Sequence, residues 1–287
     1  MDLTSPKIIK ELLSKHKTRP SKGLGQNFLI DKKILKRIIE SADIKPDDII
    51  LEVGPGLGTL TQELARGVHP HTKQGSGVGA GKVISVEKDK TMIDILKETL
   101  KDFNNVEVIQ GDILKLDLEP YTLRPYKIIA NIPYYLTSPL IRKFLEAENP
   151  PQEMVLMLQK EVAQRICAKP PKMSLLAVSV QFYADPEIVS YVSKNCFWPS
   201  PKVDSAIIKI KPQINAGKEN IDADLFFKIV KAGFSQPRKQ LAGNLSKILK
   251  IDKEKAAAWL LKNKINPKQR AETLNIEDWT SLTENLY

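Results

Sequence analysis

From residue 49 onward, short apolar runs of strand length alternate with longer stretches whose apolar positions recur at helical spacing. The runs are IILEV (49–53), KVISV (82–86), VEVI (106–109), KIIAN (127–131) and EMVLML (153–158). Rich in Val and Ile and nearly continuous in hydrophobicity, they have the character of strands covered on both faces. Between them, residues 60–66, 90–103 and 139–148 carry apolar positions that repeat every three or four residues, as in a helix with one buried stripe. Strand and helix in regular alternation predict a parallel sheet wrapped by helices. LLAVSVQFYA (175–184) and VDSAIIKIKP (203–212) read as two antiparallel strands that bring the sheet to seven.

Beyond the last strand the pattern changes. PQINAGKEN (212–220) is polar and holds Pro and Gly, which marks a linker, and residues 224–263 read as helices only until Asn266-Pro267 interrupts them. The expected organisation is an α/β domain over 1–211 and a small all-helical domain over 212–287. One low-complexity stretch, GVHPHTKQGSGVGAG (67–81), invites comparison with a phosphate-binding loop. The spacing fails, because Ser76 stands where the first Gly belongs and Val83 where Ser or Thr is needed, so the stretch reads as a surface insertion.

Composition narrows the classes. With 42% hydrophobic and 27% charged residues, the chain has the makeup of a folded globular protein. No apolar run reaches bilayer length and the N-terminus lacks a signal-peptide core, so a cytoplasmic location and no membrane partner are expected. Cys167 and Cys196 are too few for a disulfide framework, and His16, His69 and His71 have no partnering ligand motif, so no metal centre is expected. A monomer is expected, no coiled-coil pattern being present. The net charge of +10 is unevenly spread: +7 in an N-terminal basic extension over 1–37, +10 over 202–270, and −7 in the remainder. Solvated Lys-rich helix faces would produce the same totals, but basic flanks around an acidic middle also suit a polyanion gripped at the ends.

The chemistry concentrates at strand ends. Leu51-Glu52-Val53-Gly54-Pro55-Gly56-Leu57-Gly58 closes the first strand and opens a helix, and its glycines let backbone approach a ligand where side chains would collide. The spacing is not the dinucleotide pattern G-x-G-x-x-G. As E-x-G-x-G-x-G it resembles the glycine turn of class I methyltransferases, which holds the amino-acid half of S-adenosylmethionine. Glu87 ends the second strand, where a carboxylate can accept from both ribose hydroxyls, and Asp112 follows the third, where it can accept from the cofactor's adenine amine. Taken singly, each acid is more often a turn former or helix cap. In order along one sheet edge, the three turns make a cofactor site.

The fourth strand ends in Asn131-Ile132-Pro133-Tyr134-Tyr135. An adenine amine is a poor nucleophile because its lone pair is delocalised into the ring. The Asn131 side-chain oxygen and the Ile132 carbonyl can accept its N–H bonds and aim the lone pair at the methyl group, while Pro133 stiffens the turn and Tyr134 stacks on the base. No strong base is required, since the nitrogen gains charge as the sulfonium loses it and a proton leaves afterwards. Such a pocket needs a base that is single-stranded, looped or flipped out. Phe197, in NCFWPSPKVDSA, reads either as the second face of an aromatic sandwich or as a core aromatic.

With these residues assembled, the chain resembles the ribosomal RNA adenine N6,N6-dimethyltransferases, and within them the small-subunit (16S) branch. The landmarks are KGLGQNFLID (22–31), LEVGPGLGTLT (51–61), NIPYYLTSPLI (131–141), FWPSPKVDSAI (197–207), FSQPRKQLAGNL (234–245) and RAETLNIEDW (270–279). The resemblance implies a Rossmann-like class I methyltransferase domain with a mostly parallel sheet and an antiparallel last strand. It implies that Asn27 and Leu29 join Gly54, Gly56, Glu87, Asp112 and Asn131 around S-adenosylmethionine. It also implies the substrate, two adjacent adenines in a hairpin loop near the 3′ end of 16S rRNA, within the small subunit or its precursor. Arg238 and Lys239 then become candidate phosphate contacts. The insertion at 67–81 and the segment KPPKMSLL (169–176) depart from the family pattern. A large-subunit (23S) dimethyltransferase of the resistance type, and an RNA-binding assembly factor without catalysis, are the alternatives.

Overall fold

The computed structural model describes residues 1–68, 81–122, 125–213 and 221–286. Most of the glycine-rich insertion and of the expected linker, and with them His69 and His71, lie outside the described residues. Two compact units emerge: Met1–Ala163 with Glu187–Pro212, and Gln164–Pro186 with Gln213–Tyr287. The second unit thus takes in residues 164–186 as well as the expected helical tail, so the division differs from a single cut after 211.

In chain order the elements begin with α1 (Pro6–Lys15), β1 (Phe28–Leu29), α2 (Lys32–Ser41), β2 (Ile49–Val53), α3 (Thr59–Gly67), β3 (Lys82–Glu87), α4 (Lys90–Thr99) and β4 (Val106–Gln110). There follow α5 (Glu119–Thr122), β5 (Tyr126–Asn131), α6 (Thr137–Leu145), β6 (Glu153–Gln159), α7 (Lys160–Ile166), α8 (Leu175–Gln181), β7 (Ala184–Val192), β8 (Phe197–Trp198) and β9 (Ser205–Pro212). The last four helices are α9 (Ala223–Gly233), α10 (Leu241–Leu249), α11 (Lys253–Lys262) and α12 (Ile276–Glu284).

Seven strands form one sheet in the order β4-β3-β2-β5-β6-β9-β7, parallel from β4 to β6 and antiparallel between β6 and β9. Every residue of β2 is buried, as its continuous apolar run requires. The strand order reverses at β2 and β5, and in open α/β sheets the crevice at that switch point takes the ligand. A separate two-stranded ribbon pairs β1 with β8, Phe28 opposite Trp198 and Leu29 opposite Phe197.

The expected strand over 175–184 is instead α8, and the sheet strand comes later, over 184–192. An apolar run of this length suits a buried strand or a buried helix equally. Ser174 decides locally, its hydroxyl capping the Ala177 N–H at 3.2 Å, while Ala177, Val178 and Val180 bury one face. β7 was missed because its exposed and half-buried positions alternate around Glu187 and Ser190 without a strong apolar period.

The basic N-terminal extension is folded. Ile9 and Leu13 of α1 pack with Phe28, Leu57, Met92 and Ile95, so the lysines project from a helix seated on the glycine turn. His16, which stands in no ligand motif, lies 3.2 Å from the Glu98 carboxylate. At the far end of α2, two lysines from the sheet satisfy carbonyls that the helix leaves open. Lys127 Nζ donates to Ala42 and Asp43 at 3.1 and 2.8 Å and pairs with Asp48, and Lys209 Nζ donates to Ser41 at 2.8 Å and pairs with Glu153. Helix α2 and the ribbon strand just before it are thereby fixed to the sheet.

The second unit has its own core of Phe182, Phe226, Leu245, Trp259 and Trp279. Its helices approach closely at Gly233, where an added Cβ would come 2.4 Å from the Trp279 ring.

Candidate active site

A cleft along the carboxyl edge of the sheet is lined by Gly54, Gly56, Glu87, Asp112, Asn131 and Tyr134, together with Asn27, Leu29, Ile132, Pro133 and Phe197. All eleven belong to the first unit. Backbone bonds continue the strand ladders into the turns: Gly54 N–H donates to Val86 at 3.0 Å, Gly111 N–H to Glu87 at 2.8 Å and Ile132 N–H to Met157 at 3.0 Å. The floor of the cleft is therefore built before any ligand arrives, as preorganised recognition requires.

Gly54 and Gly56 take φ of 69° and 59°, a region costly for any residue with a Cβ. At Gly56 a Cβ would also meet the Phe28 ring at 3.3 Å, so a side chain there would press the glycine turn against the ribbon. Glu87 is nearly buried beneath this turn. Its carboxylate accepts from Gly56 N–H at 3.1 Å and Asp89 N–H at 2.8 Å, which leaves a lone pair on each oxygen for further donors. Burial pushes the Glu87 carboxyl up from its ordinary range, and the backbone donors oppose that. Asp112 behaves oppositely: the Lys88 ammonium at 3.0 Å, aided by the Leu114 N–H, holds it below the usual carboxylate range, an ionised acceptor at the cleft wall.

On the β5 side, Asn131 donates its side-chain N–H to the Asn27 carbonyl at 3.4 Å. That bond takes up one of the two amide N–H groups of a residue that lines the cleft, and Oδ1 keeps its capacity to accept. Tyr134, half-buried, places its hydroxyl 2.9 Å from Ser205 Oγ, and burial raises the phenol's pKa above its ordinary value. Phe197 is 4% exposed on β8, so the two readings of it merge: it is packed in the core and also lines the cleft.

Several residues that shape the site were given no role of their own by the sequence reading. Glu52 is completely buried, with the hydroxyls of Thr61 and Ser85 both donating to one carboxylate oxygen at 2.7 and 2.8 Å. Burial pushes its pKa to about 7. A lone acid within an apolar strand is the signal that was available. Gln26 holds the segment before β1 by accepting from Ser21 N–H and donating to Asp89, both at 2.8 Å. Lys88 and Ser205 carried no signal of their own.

S-adenosylmethionine fits the groups that line this cleft. The backbone of the glycine turn, bare of side chains, suits the amino-acid portion, Glu87 suits a pair of ribose hydroxyls, and ionised Asp112 suits an amine. Among the described residues, no group of three or more His, Cys, Asp or Glu is placed to hold a metal ion, and no helix is long and apolar enough to cross a membrane.

Arg238 and Lys239 lie elsewhere, exposed in the second unit between α9 and α10. With Lys247, Lys253, Lys268 and Arg270 they line a shallow groove that, among the described residues, contains no acidic side chain.

Comparison with known proteins gives a consistent answer. "Ribosomal RNA small subunit methyltransferase A" of Alkaliphilus metalliredigens is 41% identical over 99% of this chain and 98% of its own length. The proteins of the same name from Dehalococcoides mccartyi and Clostridioides difficile are 44% and 40% identical, over 95% and 98% of this chain and 90% and 96% of theirs. Among solved structures, a dimethyladenosine transferase from Plasmodium falciparum aligns with TM-score 0.71 at 29% identity, covering 88% of this chain and 95% of that one. The 23S rRNA methyltransferase ErmE aligns with TM-score 0.70 at 28% identity, covering 91% and 99%. A family profile described as ribosomal RNA adenine dimethylase matches residues 15–287. With the glycine turn, the two cleft acids and Asn131 gathered on one sheet edge, and that profile spanning nearly all of the sequence, the chain belongs to the ribosomal RNA adenine dimethylase family.

Proposed function

We propose that this protein transfers methyl groups from S-adenosylmethionine to N6 of two adjacent adenines in a hairpin loop near the 3′ end of 16S rRNA, giving N6,N6-dimethyladenines during small-subunit biogenesis. The observation that carries this reading is Asn131, which lines the cleft with one amide N–H bonded to the Asn27 carbonyl and its oxygen still able to accept from an amine. The cofactor, held by Asn27, Leu29, Gly54, Gly56, Glu87, Asp112 and Asn131, supplies an electrophilic methyl group. Asn131 Oδ1 and the Ile132 carbonyl orient the target amine, Pro133 stiffens their turn, and Tyr134 and Phe197 flank the base. Orientation and exclusion of water do the work, so no general base is needed.

The small-subunit reading is favoured over the large-subunit one by degree of similarity. Relatives named for the small subunit are 40–44% identical across nearly the whole chain, against 28% for ErmE. Arg238 and Lys239, in a groove of six cations, are the proposed contacts to rRNA phosphates. A single chain working in the cytoplasm suffices for this reaction, because every proposed cofactor and base contact comes from the first unit.

Methyl transfer from labelled cofactor is to be measured on undermethylated small subunits, naked rRNA and large subunits. Incorporation confined to small subunits is the expected result. Incorporation into large subunits instead would favour the 23S alternative, and cofactor binding without any transfer would favour an assembly factor. Asn131→Ala should abolish transfer while cofactor affinity stays within about tenfold, since Gly54, Glu87 and Asp112 remain. Near-normal turnover in that variant would remove Asn131 from the transfer step.

A further inference from the structure

Ser205 is fully buried at the first position of β9, behind the wall of the cleft, yet its Oγ lies 2.9 Å from the hydroxyl of Tyr134. The backbone that carries Ser205 Oγ is firmly held. Ser205 stands opposite Gln159 in the β6 and β9 register. The residue before it, Asp204, accepts Lys160 N–H on its backbone carbonyl and Lys194 N–H on its carboxylate, each at 3.0 Å. Tyr134, by contrast, opens a three-residue turn, Tyr134–Leu136, and its ring is joined to the backbone through two rotatable bonds.

Stacking attracts a flat base to a flat ring but tolerates sliding and tilting of one on the other. A ring free to turn would leave N6 wandering relative to Asn131 Oδ1. Anchoring the hydroxyl oxygen, which lies on the axis running from Cβ through the ring, fixes the first torsion and with it the place where the ring sits.

We propose that Ser205 is a positioning residue for the transfer. By holding the Tyr134 hydroxyl it fixes the position of the ring on which the target adenine rests, and it does so most consequentially for the second methylation. This inference rests on the stacking role assigned to Tyr134 above. In each transfer the N6 lone pair forms the new N–C bond, the S–C bond breaks with its pair left on sulfur, and one N6 proton passes to water. The unmodified amine has two N–H groups for the two acceptors, Asn131 Oδ1 and the Ile132 carbonyl. After the first transfer only one N–H remains, so one orienting bond disappears and the supporting plane must carry more of the alignment.

Ser205→Ala, Ser205→Thr, Tyr134→Phe and Tyr134→Ala are to be assayed on undermethylated small subunits, with digestion to nucleosides and separate quantification of N6-methyl- and N6,N6-dimethyladenine. Ser205→Ala and Tyr134→Phe should each lower kcat by about tenfold with KM for the subunits within about threefold, because alignment and not binding is impaired. Both should shift the product toward the monomethyl form, the double variant should be no worse than either single one, and Ser205→Thr should restore the wild-type ratio. Tyr134→Phe keeps the test alive should Ser205→Ala fold poorly. A merely structural role would lower thermal stability and total activity together while leaving the ratio of mono- to dimethyl product unchanged, and that result overturns the proposal. Collapse of transfer in Tyr134→Ala alongside wild-type ratios in Ser205→Ala and Tyr134→Phe overturns the anchoring role alone. Near-normal transfer in Tyr134→Ala overturns the stacking role and the anchoring role with it.

Discussion

The Glu52 carboxylate shows how a single residue of the site ties function to stability. It has two hydroxyl donors on one oxygen and a second carboxylate, Glu87, close enough to raise its pKa further. Its pKa in the folded chain, about 7, lies above the ordinary 4.5. The folded state therefore binds the proton more tightly than the unfolded state, and stability contributed by this group is present in full below pH 4.5 and lost as pH rises toward 7. For a fully buried group the loss is on the order of 3 kcal/mol. A glutamine can accept the same two hydroxyl bonds without ionising, so Glu52→Gln should be as stable as the parent near pH 4.5 and more stable at pH 8. Urea unfolding at the two pH values checks this, and a variant whose stability falls with pH as steeply as the parent's would show that Glu52 is not the group responsible.

At the scale of elements, close approach governs. In the second unit, α9 ends against α12 at Gly233, where a Cβ would sit 2.4 Å from one Trp279 ring atom, 3.0 Å from another and 3.1 Å from Leu241. Gly233→Ala gains at most about 1 kcal/mol of helix propensity, and less at a helix end, whereas overpacking a filled core costs about 1–3 kcal/mol. The net effect should be a lower unfolding midpoint in thermal denaturation, and an unchanged or raised midpoint would mean that the two helices can separate at little cost. The α8 segment teaches the complementary lesson. Its apolar run has strand-like composition, and only the Ser174 cap and the one-sided burial of Ala177, Val178 and Val180 make it helical.

At the scale of the whole molecule, the charge surplus of the C-terminal part becomes a surface. Arg238, Lys239, Lys247, Lys253, Lys268 and Arg270 come from separate stretches of sequence, and folding brings them around one groove. If rRNA phosphates occupy it, the logarithm of affinity for the small subunit should fall linearly with the logarithm of salt concentration. Replacing both Arg238 and Lys239 with alanine should flatten that slope by about 1.5, at about 0.7–0.9 for each phosphate no longer neutralised. Binding measured across a salt series decides the matter, and a slope untouched by the double substitution would take those two side chains out of RNA recognition.

The alternation of apolar runs determined by itself that the chain forms a sheet wrapped by helices, because continuous hydrophobicity over five residues can be satisfied only by cover on both faces. The order of glycine turn, acid, acid and Asn131 at successive strand ends likewise fixed the cleft, since parallel strands joined by crossovers must all point their carboxyl ends the same way. What the sequence could not contain were relations between residues distant along it. The Asn27 carbonyl on Asn131, Ser205 behind Tyr134, the pairing of Phe28 with Trp198 and the burial of Glu52 each depend on groups from different elements meeting in space. Spacing along one strand or helix leaves a periodic trace, whereas a single hydrogen bond across the fold leaves none, and so only the tertiary structure decided them.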